Sequence, residues 1–438
     1  MIHTQCRLPP RLCVSALNFR PSVHALTRAI AILLSVMLAH RALSAEMREW
    51  TLRAGPKFTA EIIANDAWRV TFALPDHSKA VLAIAQLSPA DVDFVTTWRA
   101  ANRTAPLVDP QKLAPWPTEA AATDIEVKLK TEDAKASAFV WEGAHFVMES
   151  DVSLPLDVVR DLNAVFEGTR AALMALPLGL HRGGEVEKYP VHLFSTLEQY
   201  GAAGGATASG GYFQGSTGRM LLLLPNLGIH AKGSVRTFDH QKNLFIVKHE
   251  VTHQLLMRWG DAFPVWFNEG LAEVIAATPY ARGRYVFSGM DLAIGAYVQK
   301  WRSPGDLKPL HLIPPASLME FTPSSWEERV AGQSAFELYK SAALFIYFLL
   351  RHDGTGDGSA VAGFLDTLRR EVHRQRAERA RSPYGQYRGT PFSEVSGKAV
   401  AEFIRRGRSD QKLTADFAAF LKRRNLRVEF EVPLQPTR

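Results

Sequence analysis

Cysteine is almost absent from this chain. Its 438 residues include two, Cys6 and Cys13, both within the first 45 positions. Beyond residue 45 no disulfide, thiol nucleophile or sulfur metal ligand is available. Acidic residues and lysine are missing from the same 45 positions, where Arg7, Arg11, Arg20 and Arg28 stand alone as charges ahead of a short apolar stretch, Ala29 to Ala39. That stretch is too short to span a bilayer, and no transmembrane segment is expected. It ends in Arg41-Ala42-Leu43-Ser44-Ala45, whose small residues predict cleavage after Ala45. Residues 1–45 therefore read as a signal peptide, and the protein is expected to be exported, either periplasmic or secreted. No cysteine follows the cleavage point, which argues against a lipid anchor. Removing the segment removes five arginines and takes the formal charge from +7 to +2. The high pI then gives no argument for a nucleic-acid partner. An exported protein without disulfides must draw its stability from its core or from a metal.

Nucleotide-binding signals are also missing. Gly201 to Gly218 is the most glycine-rich stretch, but it lacks the terminal Lys-Ser/Thr of a P-loop and any strand–G-x-G-x-x-G–helix order. It reads as a mobile loop or a bulged hairpin. Internal repeats are absent. Composition is ordinary for a globular protein, with 47% hydrophobic and 22% charged residues, and the length allows two or three domains.

What the chain does carry is His249-Glu250-Val251-Thr252-His253, an H-E-x-x-H pattern. Alone this is a weak signal, since a bland helix can bear two surface histidines. On a helix, residues four apart share a face, so both imidazoles can aim at one point. Zinc takes such nitrogens in a tetrahedral shell, and a catalytic site needs a third protein ligand. Glu250 sits where a carboxylate can take a proton from a water at the metal. Leu244, Val247, Val251, Leu255 and Met257 recur at roughly helical spacing beneath the histidines. Gly260 and Pro264 predict a stop. A second helix is expected from about Asn268, with Asn268 as its cap. Its first turn would carry Glu269, the expected third ligand; Glu273, one turn further on, is the rival.

His249-Glu250-x-x-His253 followed by Trp266-Phe267-Asn268-Glu269-Gly270-Leu271-Ala272-Glu273 resembles the gluzincin metallopeptidases. It is most similar to the compact peptidase-MA-like domains of bacterial secreted proteins, and more distantly to aminopeptidase N and thermolysin, whose gap before the third ligand is longer. The resemblance implies one zinc per chain, bound by His249, His253 and Glu269, with Glu250 as general base. It favours Glu269 because the glutamate of the N-E-G element is the ligand in aminopeptidase-type relatives; Glu273 would then orient a ligand histidine. Aminopeptidase N places an oxyanion-stabilising tyrosine in a Y-x-K-G helix. Leu338-Tyr339-Lys340-Ser341-Ala342 looks similar but shifts the tyrosine by one residue, ~100° around a helix. Tyr339 is thus a catalytic candidate or a core aromatic.

Around this centre the chain divides by composition. Residues 46–101 read as a small β-rich unit, with strand-like runs at Phe58–Ile63, Trp68–Leu74 and Ala80–Ala85, then a helix capped by Ser88 with Pro89 at its first position. Trp50-Thr51, Gly55, Ala60, Val70, Leu74, Lys79, Leu87-Ser88 and Asp91 resemble the SLA-one homology domain, which implies an SH3-like barrel serving as a spacer or binding a peptide ligand. Residues 102–123 are a Pro/Ala-rich linker. Residues 124–352 form the expected catalytic domain. Its strand candidates are Ile125–Leu129, Ala138–Trp141, Phe146–Ser150, Tyr189–Phe194 and Met220–Leu224, with helices at Leu156–Leu176 and Ser334–Leu350. The resemblance makes Met220–Leu224 the candidate strand bordering the cleft, where extended substrate would pair. Residues 353–438 are a helical region. Asp353-Gly354-Thr355-Gly356-Asp357-Gly358 lacks the glutamate of a calcium loop and reads as a turn. Arg369 to Arg388 reads as a basic helical run with a solvated face, and further helices are expected at Lys398–Arg406 and Thr414–Lys422.

The expected fold is α+β: a zincin-like domain with a mixed sheet and active-site helices, an N-terminal SH3-like β-barrel and C-terminal helices. The expected function is hydrolysis of peptide bonds in a peptide or protein substrate by an exported zinc metallopeptidase. The alternatives are a non-catalytic exported binding protein on a gluzincin fold, and a zinc hydrolase of a non-peptide bond.

Overall fold

The computed structural model describes residues 47–65, 69–76, 78–101, 113–133, 135, 138–180, 188–206, 209–232, 235–238, 244–300, 308–381 and 389–431. The expected signal segment, Trp68, the expected linker up to residue 112, the end of the basic run and a few positions of the glycine-rich stretch lie outside them.

The chain is mixed α and β. Strands β1 (Arg48–Thr51), β2 (Lys57–Asn65), β3 (Arg69–Ala73) and β4 (Lys79–Ala83) form an antiparallel meander in sequence order. Among the described residues no closed barrel is found, which corrects the expected one. A single antiparallel bridge, Leu52 to Leu87, with Arg53 N donating to Gln86 O at 2.7 Å and Ser88 N to Thr51 O at 2.8 Å, joins the end of β1 to the segment after β4. Helix α1 (Pro89–Ala101) covers the face that closure would bury: its Val92 and Val95 join Trp50, Ile62, Val70 and Phe72 in one core. The helix begins as its sequence demands. Ser88 Oγ accepts from Asp91 N at 3.3 Å, and the Asp91 carboxylate accepts from Thr51 N at 2.8 Å and from Arg48 at 2.6 Å. Pro/Ala-rich composition does not make all of 102–123 a free linker. Strand β5 (Glu119–Ala121) pairs with β15 (Arg284–Val286), and Trp116 Nε1 donates to Asp357 O at 2.8 Å.

The central sheet has six strands in the order β10-β11-β9-β8-β7-β6. Strands β6 (Lys128–Asp133), β7 (Ala138–Glu142) and β8 (Phe146–Ser150) form a meander. Helix α2 (Leu156–Ala175) then crosses over to β9 (Tyr189–Phe194), parallel to β8. After the short helix α3 (Leu197–Ala202), the glycine-rich stretch becomes a hairpin. Its arms are β10 (Gly211–Gln214) at the sheet edge and β11 (Arg219–Leu223), parallel to β9. Met220–Leu223 therefore has a neighbour on both sides and cannot be the strand that borders a cleft; the edge belongs to β10. Strands β12 (Ile229–Lys232) and β13 (Val235–Phe238) form a separate hairpin.

Helix α4 (Leu244–Leu256) lies across this sheet, anchored by Val247, Val251 and Leu255, all fully buried. Met257 falls instead in a following 3₁₀ turn and is exposed. That turn breaks at Gly260, whose φ of 53° and ψ of −135° no helix allows. Helix α5 (Val265–Ala277) starts three residues before the expected cap. Pro264 precedes it, and Pro264 O accepts from both Phe267 N and Asn268 N at 3.0 Å, so Asn268 is already inside the first turn.

After β14 (Tyr280–Ala281), β15, helix α6 (Met290–Lys300) and β16 (Leu310–Leu312), two short helices, α7 (Pro315–Met319) and α8 (Pro323–Arg329), lead into the apolar helix α9 (Ala335–Arg351). The remaining elements are α10 (Ser359–Arg381), α11 (Phe392–Ala399), α12 (Asp410–Arg423) and β17 (Val428–Phe430). These C-terminal elements share the core of the central domain: Phe364 meets Phe267 at 5.1 Å, and Phe417 meets Phe345 at 5.6 Å. Asp353 is bound by Arg406 at 2.5 Å and Arg408 at 2.8 Å, so its loop is a stapled turn rather than a cation site. Arg374 in the basic run pairs with Glu371 and Glu378 along its own helix. No helix among the described residues is long and apolar enough to cross a membrane.

Helices α5 and α9 approach each other closely at Gly270. A Cβ there would lie 2.7 Å from both Ala342 O and Ile346 Cγ1. Gly270→Ala should force the helices apart and cost about 1–3 kcal/mol, as overpacked core contacts do. The check is the urea midpoint of unfolding at unchanged slope, which should fall.

Candidate metal centre

The i, i+4 spacing on α4 brings His249 Nε2 and His253 Nε2 to 3.0 Å of each other. Glu269, in the first turns of α5, places Oε2 at 3.4 Å from His249 Nε2 and 3.5 Å from His253 Nε2. These three residues form a group able to hold a metal ion. Four-coordinate zinc with ligands at ~2.0–2.1 Å keeps neighbouring donors ~3.3–3.4 Å apart. The observed edges of 3.0, 3.4 and 3.5 Å straddle that spacing, and two imidazoles with one carboxylate are a donor set that zinc accepts.

The electrostatics of the site follow from putting these groups together out of water. Burial alone would raise the Glu269 carboxyl, but the His253 and His249 imidazoles outweigh it and hold the group well below the usual carboxylate range. Burial alone would lower the His249 imidazole; the Glu269 and Glu273 carboxylates outweigh it and hold the group well above its ordinary value.

Glu273 is one turn beyond Glu269 and buried, but it faces the other side of the His249 ring, with Oε1 3.0 Å from Nδ1. Glu269, not Glu273, joins the Nε2 triangle. The second oxygen of Glu273 accepts from the hydroxyl of Tyr297 on α6, and the Tyr297 ring stacks on Phe245 at 5.6 Å. Sequence reasoning missed Tyr297. It lies outside the motif on a separate helix, and no spacing rule reaches it.

Glu250 takes no part in the triangle. Its Oε2 accepts from the backbone N of Phe213 on β10 at 2.8 Å. Other residues of α4 fix the helix in place. Gln254 Nε2 donates to Pro190 O at 2.8 Å and to Gly218 O at 3.0 Å, and the buried Lys248 donates to Thr278 O at 3.2 Å, beyond the end of α5. Tyr339 reaches the site: its ring lies 6.2 Å from that of His249, edge to face, with Trp326 behind it at 5.6 Å. Leu338, at the position a strict Y-x-K-G alignment would give the tyrosine, is fully buried in the core. Burial, and then the Glu269 carboxylate, raise the Tyr339 phenol above its ordinary value, so it stays a proton donor.

Compared with protein-family models, with curated proteins and with solved structures, the chain finds no match.

The geometry separates the two glutamates in a measurable way. Glu269→Gln should lose tight zinc retention. Glu273→Gln and Tyr297→Phe should weaken it by ~10–100-fold at most, as changes behind a ligand do. Competition with a chromogenic chelator ranks the three variants.

Proposed function

We propose that this chain is an exported zinc-dependent metallopeptidase of the gluzincin type. The observation that carries this reading is the donor triangle of His249, His253 and Glu269, drawn from two helices, with the Glu250 carboxylate beside it and free of it. His249 and His253 would hold zinc through Nε2 and Glu269 through Oε2, while Glu273 orients the His249 ring. A bound zinc supplies Lewis acidity to the scissile carbonyl and lowers the pKa of a water it holds.

The chain's own residues supply the rest. Glu250 takes a proton from the attacking water at a carboxylate oxygen and passes it to the leaving nitrogen. Tyr339, whose ring lies edge to face with that of His249, would donate a hydrogen bond toward the oxyanion. The expected signal segment, residues 1–45, supports export to the periplasm or medium. The N-terminal sheet, with its likeness to the SLA-one domain, fits a spacer or a peptide-binding unit.

The test joins metal analysis to an assay with casein. Wild type should hold one zinc per chain, and His253→Ala should hold none tightly. Glu250→Gln keeps the side chain's shape and should retain zinc and fold while casein hydrolysis falls by at least ~10²-fold, the usual contribution of a general base. Zinc without casein cleavage would favour the two alternatives, a zinc hydrolase of a non-peptide bond or a non-catalytic binding protein. Wild-type rates in Glu250→Gln would rule out Glu250 as the base.

A further inference from the structure

Strand β10 is the edge of the central sheet and lies against α4. Gly210 O accepts from Leu223 N at 3.0 Å, and in an antiparallel ladder such bonded pairs alternate. Tyr212 and Gln214 therefore turn their backbone groups toward β11, while Gly211 and Phe213 turn theirs outward. An outward N–H on an edge strand ordinarily meets water. That of Phe213 meets Glu250 Oε2, at 2.8 Å.

Gly211 explains how the strand comes so close. A Cβ at this position would lie 2.9 Å from Glu250 Cγ and 2.8 Å from Ile246 Cγ2. The glycine is needed for space, since its backbone is ordinary strand. Ser209 pins the start of the strand, with Oγ donating to Gly211 O at 2.6 Å and accepting from Gly211 N at 3.3 Å.

We propose that β10 positions the catalytic base: the Phe213 N–H holds one oxygen of Glu250, and the bare Cα of Gly211 permits the approach. The inference rests on the reading of Glu250 as base given above. A glutamate side chain next to a metal ligand has several rotamers, and only some present an oxygen to the attacking water. Tying Oε2 to a rigid strand leaves Oε1 as the working atom at a defined place. Phe213 is on this account a positioning residue, acting through Glu250.

Proline at 213 isolates the contact. The Phe213 N–H faces outward, so Phe213→Pro removes no ladder hydrogen bond, and edge strands tolerate proline at such sites. Phe213→Ala loses the ring equally but keeps the N–H. With the full chain loaded with zinc and casein as the probe, kcat for Phe213→Pro should fall about tenfold to hundredfold below that of Phe213→Ala, the scale of a misplaced catalytic group. KM and zinc content should match between the two variants. Equal kcat values would overturn the proposal.

Amide hydrogen exchange reads the same contact without substrate, and it decides the matter if Phe213→Pro fails to fold. Glu250→Ala removes the acceptor and should speed exchange at Phe213 at least about tenfold, an amount set by loss of a single closed hydrogen bond, with Tyr212 and Gln214 still protected. Unchanged exchange at Phe213 would equally overturn it. A wild type that holds zinc but leaves casein intact would instead defeat the peptidase reading itself.

Discussion

Three polar donors at the junction of α4 and α5 have been taken largely out of water, and the structure depends on their facing one another. Each alone would be costly to bury. Together, two imidazoles and a carboxylate converge with separations of 3.0–3.5 Å, and a cation at their centre would satisfy all three. The surrounding contacts hold that arrangement. Glu273 stands behind the His249 ring, its Oε1 3.0 Å from Nδ1, and is itself held by Tyr297. Gly270 lets α5 settle onto α9, and this approach places Tyr339 of α9 beside His249.

The sheet contributes more than a floor. Gln254 fastens α4 to β9 and to the turn before β11 through two backbone carbonyls. The edge strand β10 meets the same helix from the side, where Gly211 leaves room and Phe213 donates to Glu250. His249, His253 and Glu250 thus sit on one helix but answer to different partners: the histidines meet Glu269 and Glu273 of α5, and Glu250 meets the sheet.

The C-terminal helices belong to this assembly rather than to a separate body. Phe364, Phe417 and Phe420 extend the core begun by Trp266, Phe267 and Phe345. Arg374 of α10 pairs with Glu371 and Glu378 of the same helix, and Asp353 takes Arg406 and Arg408 from the segment before α12. The N-terminal sheet has its own smaller core, closed by α1.

Local chemistry made part of this legible from the residues alone. The i, i+4 histidines, the apolar stripe beneath them, Ser88 before Pro89, and the break at Gly260 and Pro264 are all features whose cause lies within a few residues, and periodicity or backbone sterics expose them. Asn268 misled because a good capping side chain says nothing about where a preceding proline has already started the turn. The open N-terminal sheet misled because strand patterns do not reveal that a following helix will cover the face a barrel would close. The remaining decisions were tertiary. The orientation of Glu273 away from the Nε2 triangle, the arrival of Tyr297 and Tyr339, the rank of β10 rather than β11 as the edge, and the grip of Phe213 on Glu250 all join residues from separate elements. Such contacts are set by how helices and strands pack, and packing depends on the whole core at once, so no local pattern in the chain records it.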